Sequence, residues 1–201
     1  MSGGNSGWAN PLPAGLTSLA VACFIFYALM GGKVTPGALP LMGSWLIGAF
    51  IVQLVVAIIE LKEGALNGGN VFLFFSAFFC FATGLNMFIK FFSALNKWAI
   101  PVDGRIDGWA WVALGIVLIP ITFCYLKKTP LSMNLMVLCL DFVVLCLIIL
   151  DLGLAPAATW KPICSYACLG AGIFALYTVG ALFVNTNFDR TILPMPGPII
   201  K

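Results

Sequence analysis

The chain has 201 residues, of which 62% are hydrophobic and 8% are charged, and its formal net charge is +3. Soluble domains are nearer half apolar and a quarter charged, so this chain has too little polar surface to face water on all sides. The small, scattered positive charge argues against a nucleic-acid partner. The sequence therefore predicts an integral membrane protein whose main surroundings are the lipid bilayer.

Six continuous apolar runs follow one another along the chain, each near the roughly 20 residues that a helix needs to cross the hydrocarbon core. Barrel strands instead alternate apolar and polar residues over about ten positions. The sequence predicts an all-α, polytopic membrane protein with six transmembrane helices per protomer, in a single transmembrane domain over residues 1–201. The predicted helices are Leu12–Met30, Leu41–Glu60, Val71–Phe92, Trp109–Leu126, Leu131–Leu152 and Pro162–Val184.

An even number of helices places both termini on the same side of the membrane. The segment Met1–Asn10 has no Lys or Arg, so no cleavable signal peptide is predicted and the first apolar run is retained. Lys and Arg are divided five against five between the two sides, but the adjacent Lys127 and Lys128 favour cytoplasmic termini. We expect a multi-pass protein of the cell (inner or plasma) membrane with both termini cytoplasmic.

The longest predicted loop runs from Ser93 to Gly108 and is flanked by Trp98, Trp109 and Trp111. Tryptophan is enriched at membrane–water interfaces, so we expect all three side chains at the headgroup level.

All seven cysteines fall within predicted helices, a pattern that does not indicate a disulfide framework. Cys164 and Cys168 are one turn apart, but the chain has no His, and buried cysteine ordinarily packs as a small apolar residue. No metal site and no cofactor are predicted. The sixth helix also has two rows of small residues, which suit packing within the protomer or an oligomer interface equally well: Cys164/Cys168/Gly172 and Ala167/Ala171/Ala175.

Three polar residues stand out because polar groups inside lipid are costly and usually face a bundle interior or a water-filled path. Asp141 lies near the middle of the fifth predicted helix, where it must be paired, hydrated or protonated. It is either a proton or substrate site or a structural tie, with Asn86 or Lys90 as its partner. Asn86 and Lys90 share a helix face. Lys90 either snorkels toward the headgroups or concentrates an anionic substrate.

The first predicted helix has an unusual start. Proline is tolerated in a first turn, Asn10 can cap the helix, and the free N–H groups of that end attract an anion. Alone, this start indicates an ordinary helix cap with two prolines; with the family resemblance given next, we expect a substrate entrance formed by Asn10, Pro11, Pro13 and Gly15. The complete run reads Asn10-Pro11-Leu12-Pro13-Ala14-Gly15-Leu16.

This run closely resembles the Asn-Pro-x-Pro-x-Gly-Leu signature of the acetate uptake transporter family, also called the succinate–acetate permeases. Two further segments agree in order and spacing, so the resemblance covers about residues 10–194 through the motif residues Gln53, Glu60, Gly64 and Arg190. The end of the family's second helix resembles Gln53 followed by Glu60-Leu61-Lys62-Glu63-Gly64. The family's C-terminal Phe-Gly-Arg-Thr-x-Leu-Pro resembles Phe188-Asp189-Arg190-Thr191-Ile192-Leu193-Pro194, in which Asp189 replaces the glycine.

The resemblance implies a homo-hexamer of six-helix protomers, each with a path for a small carboxylate anion. Family members carry acetate, and some carry succinate, either with protons or through a channel-like pore. The family's constriction of an aromatic, a tyrosine and a leucine falls here on Leu19, Phe75 and Leu140. The constriction is then apolar but differently shaped. Asp141 stands where the family has a small polar residue, which suggests tighter proton coupling.

Two other classes of function are weighed against transport. An intramembrane enzyme needs a nucleophile with a base, facing aspartates or metal ligands. With no His, and with Asp151 at a helix end rather than opposite Asp141, no catalytic residue is predicted. A structural or assembly protein would leave the buried Asp141 and the Asn86/Lys90 face without an explanation. We therefore expect a carboxylate transporter, not an enzyme.

Overall fold

A computed structural model describes residues 8–201 of the protein. Within that range, six helices are long and apolar enough to cross a membrane and no strand is present, as the sequence predicts. The first seven residues of the predicted 1–201 domain lie outside the described residues. The helices are α1 (Leu12–Met30), α2 (Leu39–Lys62), α3 (Leu66–Asn96), α4 (Arg105–Lys128), α5 (Leu131–Asp151) and α6 (Ala157–Asn187).

Several helix ends lie further out than predicted. α3 begins at Leu66 rather than Val71, and α6 begins at Ala157 rather than Pro162. The apolar runs stop at the first polar residues, whereas a helix continues through such residues where the chain enters the headgroup region. Both helices have 31 residues, more than the roughly 20 needed for a span, so each either extends beyond the hydrocarbon core or tilts within it.

The helices form a ring in sequence order. Each packs against the next, and α6 packs against α1. The contacts of α2 with α3 and of α1 with α6 are the most extensive, and those of α3 with α4 are the least extensive. We call the side of the membrane that holds the start of α1 and the end of α2 the terminal side, and the other the opposite side. The C-terminal segment returns to the terminal side, where Ile200 N–H donates to the carbonyl of Leu126 at 2.9 Å.

The small residues of α6 pack inside the protomer. Cys164, Cys168, Ala171 and Ala175 are at most 1% exposed, and a Cβ on Gly172 would lie 3.0 Å from the Phe24 ring of α1. The rows are thus explained by the α1–α6 contact. All seven cysteines have free thiols.

α3 is interrupted by a π-helical segment, Phe75–Ala82. The wider turn shows in the Thr83 hydroxyl, which donates to the carbonyl of Phe78, five residues earlier, at 3.3 Å. Such segments occur frequently at functional sites. Here the segment directs Phe75 and Phe79 into the ring, where they are 7% and 2% exposed.

Burial contradicts the interface prediction for one of the three tryptophans. Trp98 and Trp109 are 48% and 66% exposed, whereas Trp111 is 6% exposed. Trp109 and Trp111 are roughly 200° apart around α4, so one faces outward when the other faces inward. Composition near a helix end does not distinguish the two orientations.

Candidate substrate path

The three predicted constriction residues meet in the interior of the ring. Leu19 of α1, Phe75 of α3 and Leu140 of α5 line one narrow cavity, and their side chains are 5%, 7% and 6% exposed. The cavity volume is about 30 Å³, room for roughly two water molecules. We call these three residues the neck. The structure thus brings together side chains from three helices that lie far apart in the sequence.

Two polar side chains line the same cavity, Gln53 of α2 and Tyr125 of α4. Gln53 is fully buried, and its Nε2 has no hydrogen-bond partner among the described residues. The Cys80 thiol donates to Gln53 Oε1 at 3.7 Å, which orients the amide. Tyr125 is 6% exposed and lies within electrostatic reach of the Glu60 carboxyl. The remaining walls are apolar: Leu12, Leu16, Val71, Phe72, Met133, Met136 and Val137.

The start of α1 differs from the predicted entrance. Asn10 does satisfy the first helical N–H, because its Oδ1 accepts from Leu12 N–H at 3.0 Å. It does so from the position before the N-cap, which is Pro11. The N–H groups of Ala14 and Gly15 both reach the Pro11 carbonyl, at 3.1 and 3.4 Å.

The expected anion site of free N–H groups is therefore wrong for this turn. Prolines have no N–H, so all donors from Leu12 to Gly15 are occupied within the described residues. Asn10 is exposed, whereas Pro13 is buried and lines a separate groove between α1 and α2 rather than the cavity. Leu12 is the residue of this turn that reaches the cavity.

Gly15 has a packing role. A Cβ at this position would lie 2.6 Å from the Phe72 ring and 3.0 Å from Val56 Cγ1. Only glycine lets α1 approach α2 and α3 this closely. Gly15 thus positions Leu12, Leu16 and Leu19 on the cavity without lining it.

Asp141 lies in the seam between α4 and α5. The Thr122 hydroxyl donates to its Oδ2 at 2.7 Å, and its Oδ1 is buried with no partner in the described part of the chain. The described residues that line the cavity include Leu140 but not Asp141. Its helical neighbours Leu138 and Phe142 are 41% and 42% exposed, so the seam faces the outside of the ring.

Asn86 and Lys90 share a partner that the sequence analysis did not identify. Asn86 Nδ2 and Lys90 Nζ donate to the two oxygens of Asp107, each at 2.8 Å. The alternative that either residue pairs with Asp141 is wrong. Asp107 and Thr122 are separated by roughly 22 Å along α4, at 1.5 Å per residue. Lys90 therefore neither snorkels freely nor belongs to the same polar site as Asp141.

The remaining motif residues lie at the terminal side. Gly64 ends the α2 turn with φ of 79°, a conformation that favours glycine. Asp189 also has a positive φ, 50°, which explains why a glycine suits that position in the family motif. Arg190 is exposed and forms no ion pair with any residue in the range 8–201.

Sequence reasoning missed Tyr125, Thr122 and Asp107. Tyr125 is the residue before the last of the fourth apolar run, where an aromatic residue is typical of the interface. Nothing in one sequence shows that it faces inward. The sequence predicts a loop at Asp107, although its position four residues before Trp111 places both on one face of a longer helix. Extending the predicted fourth helix back to Asp107 would therefore have placed this carboxylate on the same face as Trp111.

The fold is similar to that of a solved structure, the bacterial acetate channel SatP. The two match with a TM-score of 0.77 and 21% sequence identity, over 94% of this chain and 99% of that chain. No family model matches the sequence, and no curated protein sequence matches it. The likeness to a solved structure shows a shared fold, which confirms the predicted all-α, six-helix architecture. The chain is a multi-pass membrane protein.

Proposed function

We propose that this protein carries a small monocarboxylate, acetate first of all, through the ring interior of each protomer. The observation that carries the proposal is the Gln53 amide, a buried N–H donor without an acceptor on a cavity whose other walls, apart from Tyr125, are apolar. A buried, unsatisfied donor costs about 1–3 kcal/mol. A solute with an acceptor head group removes that cost.

The other walls suit a solute with one apolar end. Acetate has a carboxylate that accepts hydrogen bonds and a methyl group that packs against leucine and methionine. Tyr125 also lines the cavity, and in this proposal its hydroxyl is a second donor. No Lys or Arg is among the described residues that line it. Conduction requires binding weak enough for release, and neutral donors meet that requirement better than a buried cation.

The likeness in fold to an acetate channel and the resemblance of the sequence motifs support the same substrate class. Leu19, Phe75 and Leu140 act in this proposal as the constriction that a solute passes one at a time. Their cavity of about 30 Å³ is the closed form of the neck, so passage requires a side-chain movement. Succinate, with a second carboxylate, passes more slowly because the neck offers no partner for another charge.

Uptake of labelled acetate, formate and succinate into proteoliposomes tests the substrate. We expect acetate and formate to enter faster than succinate, without chemical change of the solute. Protein-free liposomes are the control. Equal rates for protein and control vesicles contradict transport, and turnover of the solute indicates an enzyme instead.

Proton coupling through Asp141 is the second part of the proposal. Its unpartnered Oδ1 makes the charged form costly in an apolar seam, so a proton is the simplest ligand for it. Asp141→Asn keeps the shape but cannot titrate. We expect this variant to assemble normally and to lose the acceleration of acetate uptake by an inward proton gradient.

Thr122→Val is the matched control, because it removes the hydrogen bond but keeps the titratable group. It should retain gradient-driven uptake. Gradient-driven uptake by Asp141→Asn at the wild-type rate would leave a channel driven by the acetate gradient alone. Loss of assembly in both variants would make Asp141 and Thr122 a structural tie.

The proposal also includes a homo-hexamer in the cell membrane with both termini cytoplasmic, each protomer forming one transmembrane domain. The outer face of α4 has apolar side chains that are 59–65% exposed, such as Ile116, Ile119 and Phe123. Such a face suits contact with lipid or with a neighbouring protomer. Native mass spectrometry tests the number of protomers. Protease protection of a C-terminal tag in sealed vesicles tests the orientation.

A further inference from the structure

A second closed layer lies between the neck and the opposite side of the membrane. The rings of Phe75, Phe79 and Trp111 follow one another, with centroids 5.6 Å and 5.9 Å apart. Phe75 belongs to the neck as well, so the two layers are continuous. Together with Leu118 and Val144, these rings enclose a space with no room for a water molecule.

Trp111 is held in this layer by one polar bond. Its indole Nε1 donates to Asp151 Oδ2 at 3.1 Å, joining α4 to the last residue of α5. Gly108 permits this approach, because a Cβ there would lie 2.6 Å from Leu152 Cγ and 3.0 Å from its backbone nitrogen. The indole is thus held by a carboxylate at its nitrogen, and the close contact between the two helices keeps that carboxylate within reach.

Charged residues begin directly beyond Trp111. Asp107, one turn earlier on α4, accepts from Asn86 and Lys90. Lys90 and Asp107 lie close enough to Asp151 to act on it electrostatically. Trp111 therefore separates the apolar interior from the polar groups of the opposite side, and a solute that has passed the neck meets this ring next.

We propose that Trp111 is a second gate of the path, latched shut by its hydrogen bond to Asp151. The inference rests on the proposed function, because it assigns the step after the neck. Opening requires the indole to leave the Asp151 carboxylate and rotate away from Phe79. Asp151 is a positioning residue: it acts through Trp111 and does not touch the solute. The neck determines which solutes pass, and the latch determines how often the path is open.

The latch is tested by measuring acetate flux in proteoliposomes for variants that remove either the donor or the acceptor of the Trp111–Asp151 hydrogen bond. Trp111→Phe keeps an aromatic ring and removes the donor, and Asp151→Leu removes the acceptor. Each should raise flux about tenfold, the effect of losing one hydrogen bond to a charged group. The double variant should be no faster than either single one, since both break the same contact. Asp151→Asn keeps an acceptor oxygen and should stay within about threefold of wild type.

The ratio of acetate to succinate flux should be unchanged in all four proteins, because the neck is intact. A merely structural role of Trp111 predicts lower expression with unchanged flux in the folded fraction. Wild-type flux in both Trp111→Phe and Asp151→Leu, or a roughly hundredfold gain in the double variant, would overturn the latch.

A readout that does not depend on acetate distinguishes this inference from the proposed function. Leu118→Cys places a thiol in the closed layer, and a charged, membrane-impermeant thiol reagent is added from the opposite side. Labelling should be about tenfold faster when Trp111→Phe is also present, with the same proteins lacking Leu118→Cys as controls for the native thiols. Equal labelling rates overturn the gate. Faster labelling in a protein that carries no acetate supports the gate and contradicts only the proposed substrate.

Discussion

The two halves of the ring interior differ in how their polar groups are satisfied. On the terminal side, the Gln53 amide has a buried N–H with no acceptor among the described residues. On the opposite side, Asp107 accepts from Asn86 and Lys90, and Asp151 accepts from Trp111. A free donor has capacity for a ligand, whereas occupied acceptors hold helices together. The comparison suggests that the terminal half binds the solute and the opposite half closes the path.

Replacing Gln53 removes this difference and should have the largest effect. Gln53→Leu has a similar volume but no donor, so acetate flux should fall about tenfold or more. Stability should not fall, because removing an unsatisfied buried donor relieves a cost of about 1–3 kcal/mol. Uptake and thermal unfolding on the same preparation check the two effects, which have opposite signs.

Thr178 supplies the matched control. It is also fully buried, but its hydroxyl is paired with Ser132 at 2.8 Å and the Phe174 carbonyl at 2.9 Å. Thr178→Val should lower stability by about 1 kcal/mol and leave acetate flux unchanged. Gln53→Leu also removes the hydrogen bond from the Cys80 thiol, but a thiol is a weak donor. A loss of stability as large as that in Thr178→Val would therefore show that Gln53 Nε2 has a partner after all.

Widening the neck separates selectivity from binding. Phe75→Ala removes the largest of the three neck side chains and should raise succinate flux relative to acetate several-fold. The cavity that it leaves should lower stability by about 3–5 kcal/mol, so the folded fraction is measured first. Leu19→Ala should act in the same direction with a smaller change. An unaltered acetate-to-succinate ratio in both variants would remove these residues from the path.

Removing the acceptor shared by Asn86 and Lys90 would leave unsatisfied polar groups on the opposite side, as Gln53 is on the terminal side. Asp107→Leu leaves Lys90 without its partner. The two side chains are 18% and 35% exposed, between the limits for surface and buried pairs, so we expect a loss of about 1–2 kcal/mol. Adding Lys90→Met should recover part of that loss in a double-mutant cycle. Additive losses from the two substitutions would show that the pair contributes no stability.

The number and order of the helices could be predicted because a lipid-spanning helix requires a long apolar run, and each run is visible in the sequence. The meeting of Leu19, Phe75 and Leu140 could be predicted only through a family resemblance. Their spacing in the sequence alone does not bring them together. α4 illustrates the limit, since a helix apolar on most faces gives no periodic signal for its inward side.

The sequence could not predict which hydrogen-bond or ion-pair partner each polar side chain inside the helices would have. Lys90 and Asp141 are both unusual inside a membrane, and pairing them is chemically reasonable. In the structure Lys90 pairs with Asp107, and Asp141 pairs with Thr122. The depth of each group along its helix, not its charge, decides which groups meet. The free amide of Gln53 is likewise the outcome of packing around it, and its position in a motif indicates only that the residue matters.

The smallest effect is expected from an exposed charged pair at the end of the α3–α4 loop, where Asp103 lies in the loop and Arg105 is the first residue of α4. The Arg105 guanidinium hydrogen-bonds to Asp103 at 2.6 Å and holds the pKa of that carboxyl at about 2, below its usual 3.8. Arg105→Gln should return the pKa toward 3.8, as measured by NMR titration of the Asp103 carboxyl. A lowered pKa in the folded protein stabilises it above the ordinary value, and this contribution is lost as the pH falls through about 2. Because the Asp103 and Arg105 side chains are 58% and 71% exposed, salt screens the pair and its contribution to stability is small.

Acetate flux of Arg105→Gln at neutral pH should match wild type. The Arg105–Asp103 pair is satisfied like the cluster around Asp107, but it does not close the path. A change in flux would extend the path into the loop and make the boundary between the two halves less sharp than Trp111 suggests.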